Sequence, residues 1–136
     1  MAGTQTEADR IELVRSFYDL GWFNGDPSQI VAHADPEIEM VNPPEAVQGG
    51  TRHGVEELVE AWRNMVTTLD DSHHGLRKIE GHGDVVLAEL THSAILRDSE
   101  LRIEQDEVHT WTFRGAKVIR FEWGRDAEAA RRAAGF

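Results

Sequence analysis

Residues 105–126, QDEVHTWTFRGAKVIRFEWGRD, decide how the rest of the chain is read. Glu107, His109, Trp111 and Phe113 fall on one side of a two-residue alternation, and Asp106, Val108, Thr110 and Thr112 on the other. After Arg114-Gly115-Ala116-Lys117 the alternation resumes. Ile119, Phe121 and Trp123 then make a bulky apolar face, opposite Arg120 and Glu122. Two half-buried antiparallel strands joined by a tight turn carry this pattern. A histidine beside large aromatics suits the wall of an enclosed pocket, or a core with one satisfied histidine. The stretch alone leaves both open.

Working upstream, residues 85–96 alternate in the same way. Val86, Ala88, Leu90, His92, Ala94 and Leu96 form the more uniformly apolar face, which is therefore expected to point inward and to bring His92 to the interior that His109 faces. Further strands are expected at 74–81, 101–113 and 37–41, with turns at 81–84 and 97–100. Ile11, Val14, Phe17 and Tyr18 repeat at three- and four-residue spacing, so a helix is expected from Glu7 to Trp22, capped by Thr4 or Thr6. A short helix follows over 27–33 and a longer one over 55–69; residues 126–134 read as a helical tail. Residues 48–54 read as a loop, 70–74 as a polar connection with His73 and His74 on an exposed turn, and 1–5 as a flexible end. The expected fold class is α+β in one domain spanning 1–136. A curved antiparallel or mixed sheet would carry three helices from the N-terminal half on its concave face, leaving a cavity between them.

Composition narrows the partners. The 136 residues hold 25 acids against 14 Lys and Arg, a formal net charge of -11, so neither nucleic acid nor an anionic membrane is an expected partner. There is no cysteine, which removes disulfides, thiolate nucleophiles and thiol-rich zinc sites. No apolar run approaches the roughly 18 residues of a membrane span, and the acidic start resembles no leader. A cytoplasmic location is the expectation.

Four residues could carry chemistry. Tyr18, on the apolar stripe of the first helix, could donate its hydroxyl proton to a developing oxyanion. Asn42, held extended by Pro43, could orient a water or a carbonyl. His92 and His109 could supply a base and an acid near neutral pH. Each also has a purely structural reading, as core packing, a turn amide or a satisfied imidazole. Trp22, Trp62, Leu90, Trp111, Phe121 and Trp123 are the expected pocket lining, suited to a flat apolar molecule. Glu107 alone among the acids shares their inward phase, and no opposed carboxylate pair is present.

The layout resembles the nuclear-transport-factor-two-like superfamily, in particular its SnoaL-like branch. The marks are Phe23-Asn24-Gly25-Asp26 after the first helix, Asp35-Pro36-Glu37-Ile38 with Asn42-Pro43, and Gly54-Val55-Glu56-Glu57-Leu58. Trp111-Thr112-Phe113-Arg114-Gly115, Lys117-Val118-Ile119 and the ending 126–135 complete them. The resemblance implies a cone-shaped α+β barrel, commonly a homodimer, in a group that includes isomerases, epoxide hydrolases, cyclases, dehydratases and non-catalytic binders. Against ketosteroid isomerase, Tyr18 and His109 occupy the oxyanion-hole positions, and Asn42 stands where that family has its aspartate base. Against limonene epoxide hydrolase, Asn42 matches the water-holding asparagine, while Leu90, His92 and Trp123 replace the charged catalytic groups. The resulting expectation is a small-molecule enzyme acting on an oxygenated apolar metabolite, with Tyr18, Asn42, His92 and His109 at its site and no metal or organic cofactor. The alternative is a non-catalytic ligand-binding or dimerising protein on the same scaffold.

Overall fold

The computed structural model describes residues 6–19, 27–44, 46 and 49–136. Its elements run α1 (Glu7–Asp19), α2 (Ser28–His33), β1 (Ala34–Asn42), β2 (Gly50–His53), α3 (Gly54–Thr68), β3 (Leu69–His82), β4 (Val85–Leu96), β5 (Arg102–Arg114), β6 (Lys117–Gly124) and α4 (Ala127–Ala134). Trp22 and the segment 23–26, both singled out above, lie outside the described residues.

The six strands form one mixed sheet in the order β2-β1-β6-β5-β4-β3, with β1 and β6 parallel and the other pairs antiparallel. The expected cone-shaped barrel is not formed. The sheet stays open, with β2 and β3 as its two edges. Closure would require those edges to pair, and neither is suited to it. β2 has only four residues, while β3 presents exposed Asp70, Asp71, Arg77 and Lys78 and shifts register twice. Charges and bulges are standard devices that stop an edge from recruiting another strand.

α1, α2 and α3 contribute to the core on one face of this sheet. Val14, Phe17, Tyr18, Ile30 and Leu58 join Val86, Ala88, Leu90, Trp111, Phe113, Val118 and Phe121 in one buried cluster. Phe17 meets the Trp111 ring at 5.1 Å between centroids. α4 lies across the opposite face, where its alanines line a hollow with Val85, Val108, Thr110 and Thr112.

α1 starts at Thr6, whose hydroxyl accepts from Asp9 N–H while the Asp9 carboxylate accepts from Thr6 N–H, a reciprocal cap. One turn on, the buried guanidinium of Arg10 donates to the carbonyls of Gly83 and Gly115 and to Asp84. It thereby ties α1 to the β3–β4 and β5–β6 turns at once, and so fixes where Tyr18 meets the sheet.

Three local expectations need correction. Residues 50–53, read as loop, are β2; with Arg52 alone half-buried among four residues, they lack the alternation that marks a half-buried strand. Residues 70–74, read as a polar connection, are the start of β3; there the strand is an exposed edge with Asp71 at φ 51°. In β6, Thr112 pairs with Arg120 but Phe113 pairs with Val118, so Ile119 is an extra bulged residue. Val118, not Ile119, is consequently the fully buried member, at 1% exposure.

Candidate functional site

β4 and β5 run antiparallel with Ala88 opposite His109 and Leu90 opposite Glu107. His92, Glu107 and His109 therefore stand in adjacent rows of one face, all buried. On the far side of β4, His74 of β3 pairs with His92. Its ring stacks on that of His92 at 4.1 Å between centroids, with the planes 17° apart. His74 was expected on an exposed turn. It is half-buried and faces inward, while His73 points out and bonds to Asp71.

A buried polar chain connects these groups. Tyr18 Oη lies 2.7 Å from His109 Nδ1, and Trp111 Nε1 donates to the same hydroxyl at 3.0 Å. His109 Nε2 lies 2.9 Å from Glu107 Oε1, and Glu107 Oε2 lies 3.1 Å from His92 Nδ1. Gln105 Nε2 donates to Oε2 as well, at 2.6 Å. His92 Nε2 is buried without a hydrogen-bond partner.

The carboxylate fixes which nitrogen carries which proton. Burial by itself would raise the Glu107 carboxyl, but hydrogen bonds from His109, His92 and Gln105, with the charge of His109, outweigh it and hold the group well below the usual carboxylate range. An ionised carboxylate only accepts, so His109 Nε2–H and His92 Nδ1–H are the donors facing it. In the neutral rings that leaves His109 Nδ1 to accept the Tyr18 proton and His92 Nε2 as an unshared lone pair. Burial, and secondarily the Glu107 charge, keep Tyr18 protonated, although the Trp111 hydrogen bond opposes them. His74 is pushed down to about 2, first by burial and then by the neighbouring His92 and His109, so it stays neutral at working pH.

The other proposed site residues are placed differently. Asn42 ends β1, where its Oδ1 accepts from Trp123 Nε1 at 2.6 Å, so its amide oxygen is already engaged by an indole. Leu90, Trp111 and Phe121 are buried in the core around the chain, with Trp62 and Trp123 packed half-buried against it. Sequence reasoning weighed the His73-His74 pair for metal contact, set it aside as an exposed turn for want of a third ligand, and gave Glu107 no role. His74 did carry a signal, since it opens the strand predicted over 74–81 in phase with Leu76. Nothing local, however, pairs it with His92.

The sequence profile of the SnoaL-like domain matches residues 14–129. No curated protein matches the chain in sequence. Among solved structures, a candidate SnoaL-like polyketide cyclase from Jannaschia sp. CCS1 superposes with a TM-score of 0.81 at 15% identity, over 98% of this chain and 96% of that one. TerC, co-crystallised with polyporic acid, gives 0.73 at 26% identity over 93% of this chain and 98% of its own. AclR, a candidate hydroxylase from Streptomyces galilaeus, gives 0.73 at 17% identity over 96% and 87%.

Proposed function

The chain belongs to the SnoaL-like domain family, and on that footing we propose that it is an enzyme moving a proton on an oxygenated hydrophobic metabolite, with His92 as the base. The observation that carries this is the buried Glu107–His92 pair, whose carboxylate holds Nδ1–H and leaves Nε2 with a lone pair and no partner. Orienting an imidazole by a carboxylate and stabilising the imidazolium that forms is a recurrent way to make a neutral-pH base. His92 Nε2 would take a proton from a carbon or hydroxyl beside a carbonyl and return it to the product. Tyr18 would serve the oxyanion by turning its O–H from His109 Nδ1 toward the ligand. Asn42 would orient substrate or water from the end of β1. Leu90, Trp111, Phe121, Trp62 and Trp123 would form the apolar wall. TerC's crystallisation with polyporic acid supports a small organic occupant.

A second reading, a ligand binder without chemistry, has one observation in its favour: both ring nitrogens of His109 are already engaged. The two are separated by incubating the chelator-treated chain in D2O with a panel of cyclic enones and aromatic hydroxyketones, following exchange by NMR. Exchange that falls about 100-fold or more in His92→Ala supports the base assignment. Binding without exchange, or a fall of less than about tenfold in His92→Ala, rejects it.

A further inference from the structure

His74, His92 and Glu107 reach the inner face from three consecutive strands of the sheet order, β3, β4 and β5. One ligand atom from each lies within 4.8 Å of the other two. We propose that these three side chains bind one divalent transition-metal ion, which takes the place of the proton between His92 Nδ1 and Glu107 Oε2.

The spacing suits an ion. A metal holding an imidazole nitrogen and a carboxylate oxygen at about 2.1 Å sets them about 3.0 Å apart at a right angle and about 3.4 Å apart at the tetrahedral angle. The observed separation of His92 Nδ1 and Glu107 Oε2 is 3.1 Å. His74 needs the larger adjustment, because its ring lies nearly parallel to that of His92 and must turn to aim a nitrogen at the shared point. It is also the least buried of the three.

The support for such a ligand set is in place. His109 Nε2 holds Glu107 Oε1, and Gln105 Nε2 holds Oε2, so the carboxylate is oriented by groups outside the proposed set. Two imidazoles and one carboxylate favour zinc, cobalt, nickel or ferrous iron over magnesium or calcium, which prefer all-oxygen surroundings. Three protein ligands leave at least one position for water or a substrate oxygen, as in catalytic rather than structural sites.

Occupation has a consequence for the preceding proposal. With Nδ1 on the metal, the neutral His92 ring carries its proton on Nε2, the nitrogen assigned as base. Metal and proton transfer by His92 thus exclude one another, and the metal site stands whether or not the base assignment holds.

The test is a titration of cobalt(II) chloride into the chelator-treated full chain, followed by visible absorption and by equilibrium dialysis with elemental analysis. One equivalent is expected to bind with a ligand-field spectrum, to be displaced by zinc and to be unaffected by millimolar magnesium. His74→Ala and Glu107→Gln are each expected to weaken binding at least tenfold. His73→Ala, which alters an exposed neighbour, is expected to leave it unchanged. Circular dichroism establishes that each variant is folded, and His74→Gln replaces His74→Ala should the latter fail. Absence of stoichiometric cobalt, undiminished binding in folded His74→Ala or His74→Gln, or loss in His73→Ala overturns the proposal. Exchange by the chelator-treated chain without cobalt binding would sink the metal site alone, and cobalt binding without exchange would sink the base assignment alone.

Discussion

On the inner face of β4 and β5, His92, Glu107 and His109 are 6%, 7% and 2% exposed and hydrogen-bonded in series. On the outer face of the same strands, Val85, Val108, Thr110 and Thr112 line a hollow of about 820 Å³ beneath α4. The hollow is roomy, yet its described charges include Arg120 and Glu122, which pair with each other at 3.3 Å and are about two-fifths exposed. The inner face brings buried ionisable groups together around one carboxylate, which their hydrogen bonds hold well below its usual range. Convergent titratable groups in a dry setting are the better pointer to chemistry, because only there do charges shift protonation strongly.

The contrast can be broken most directly at Glu107. Replacing it with alanine strands the donors of His92, His109 and Gln105 in the interior, and is expected to cost about 3–5 kcal/mol in urea unfolding at pH 7. Glu107→Gln, which keeps an acceptor oxygen, is expected to cost less. A loss below about 1 kcal/mol in Glu107→Ala would mean that solvent already reaches this chain.

Acid provides the next largest effect. His74 has a folded-state value of about 2 against an ordinary 6.5, so between those values the unfolded chain binds a proton that the folded one refuses. Stability therefore rises with pH across that window and falls on acidification, by up to about 1.4 kcal/mol per pH unit. Glu107 joins below its ordinary value of 4.5 with the same sign, since its folded form stays ionised to lower pH. Denaturation midpoints from pH 7.5 to 5 should flatten in His74→Phe. Parallel profiles for the two proteins would show that His74 is solvated.

The smallest effect is expected outside. Thr110→Val, on the half-buried outer row, should change stability by no more than about 0.5 kcal/mol. A cost above about 1 kcal/mol would show that something covers the hollow in solution, and would blur the distinction between the faces.

Much of this was written in the local pattern. The stripe of Val14, Phe17 and Tyr18 on α1, the inward row from Val86 to Ala94 and the turn at Gly115 follow from side-chain period and glycine placement, and the last has φ 62°. The bulge at Ile119 was not legible, because Val118 and Ile119 are both apolar and either could be buried. β2 was not legible because it buries too little to alternate. The open sheet was not legible either. A resemblance to a family transfers an architecture, whereas closure depends on whether these two particular edges can pair.

Outside the bulge at Ile119 and the edge residue His74, the sequence by itself determined which residues of α1, β4 and β5 turn inward, since a two-residue or 3.6-residue period assigns side chains to faces. It placed Tyr18, His92 and His109 on the interior but could not say which would touch. Only the tertiary structure decided that Glu107 is shared by both imidazoles, that Tyr18 is held by His109 and Trp111, and that His74 stacks on His92. These are contacts between residues up to 93 positions apart. They depend on strand register, and a single bulged residue reverses the faces beyond it.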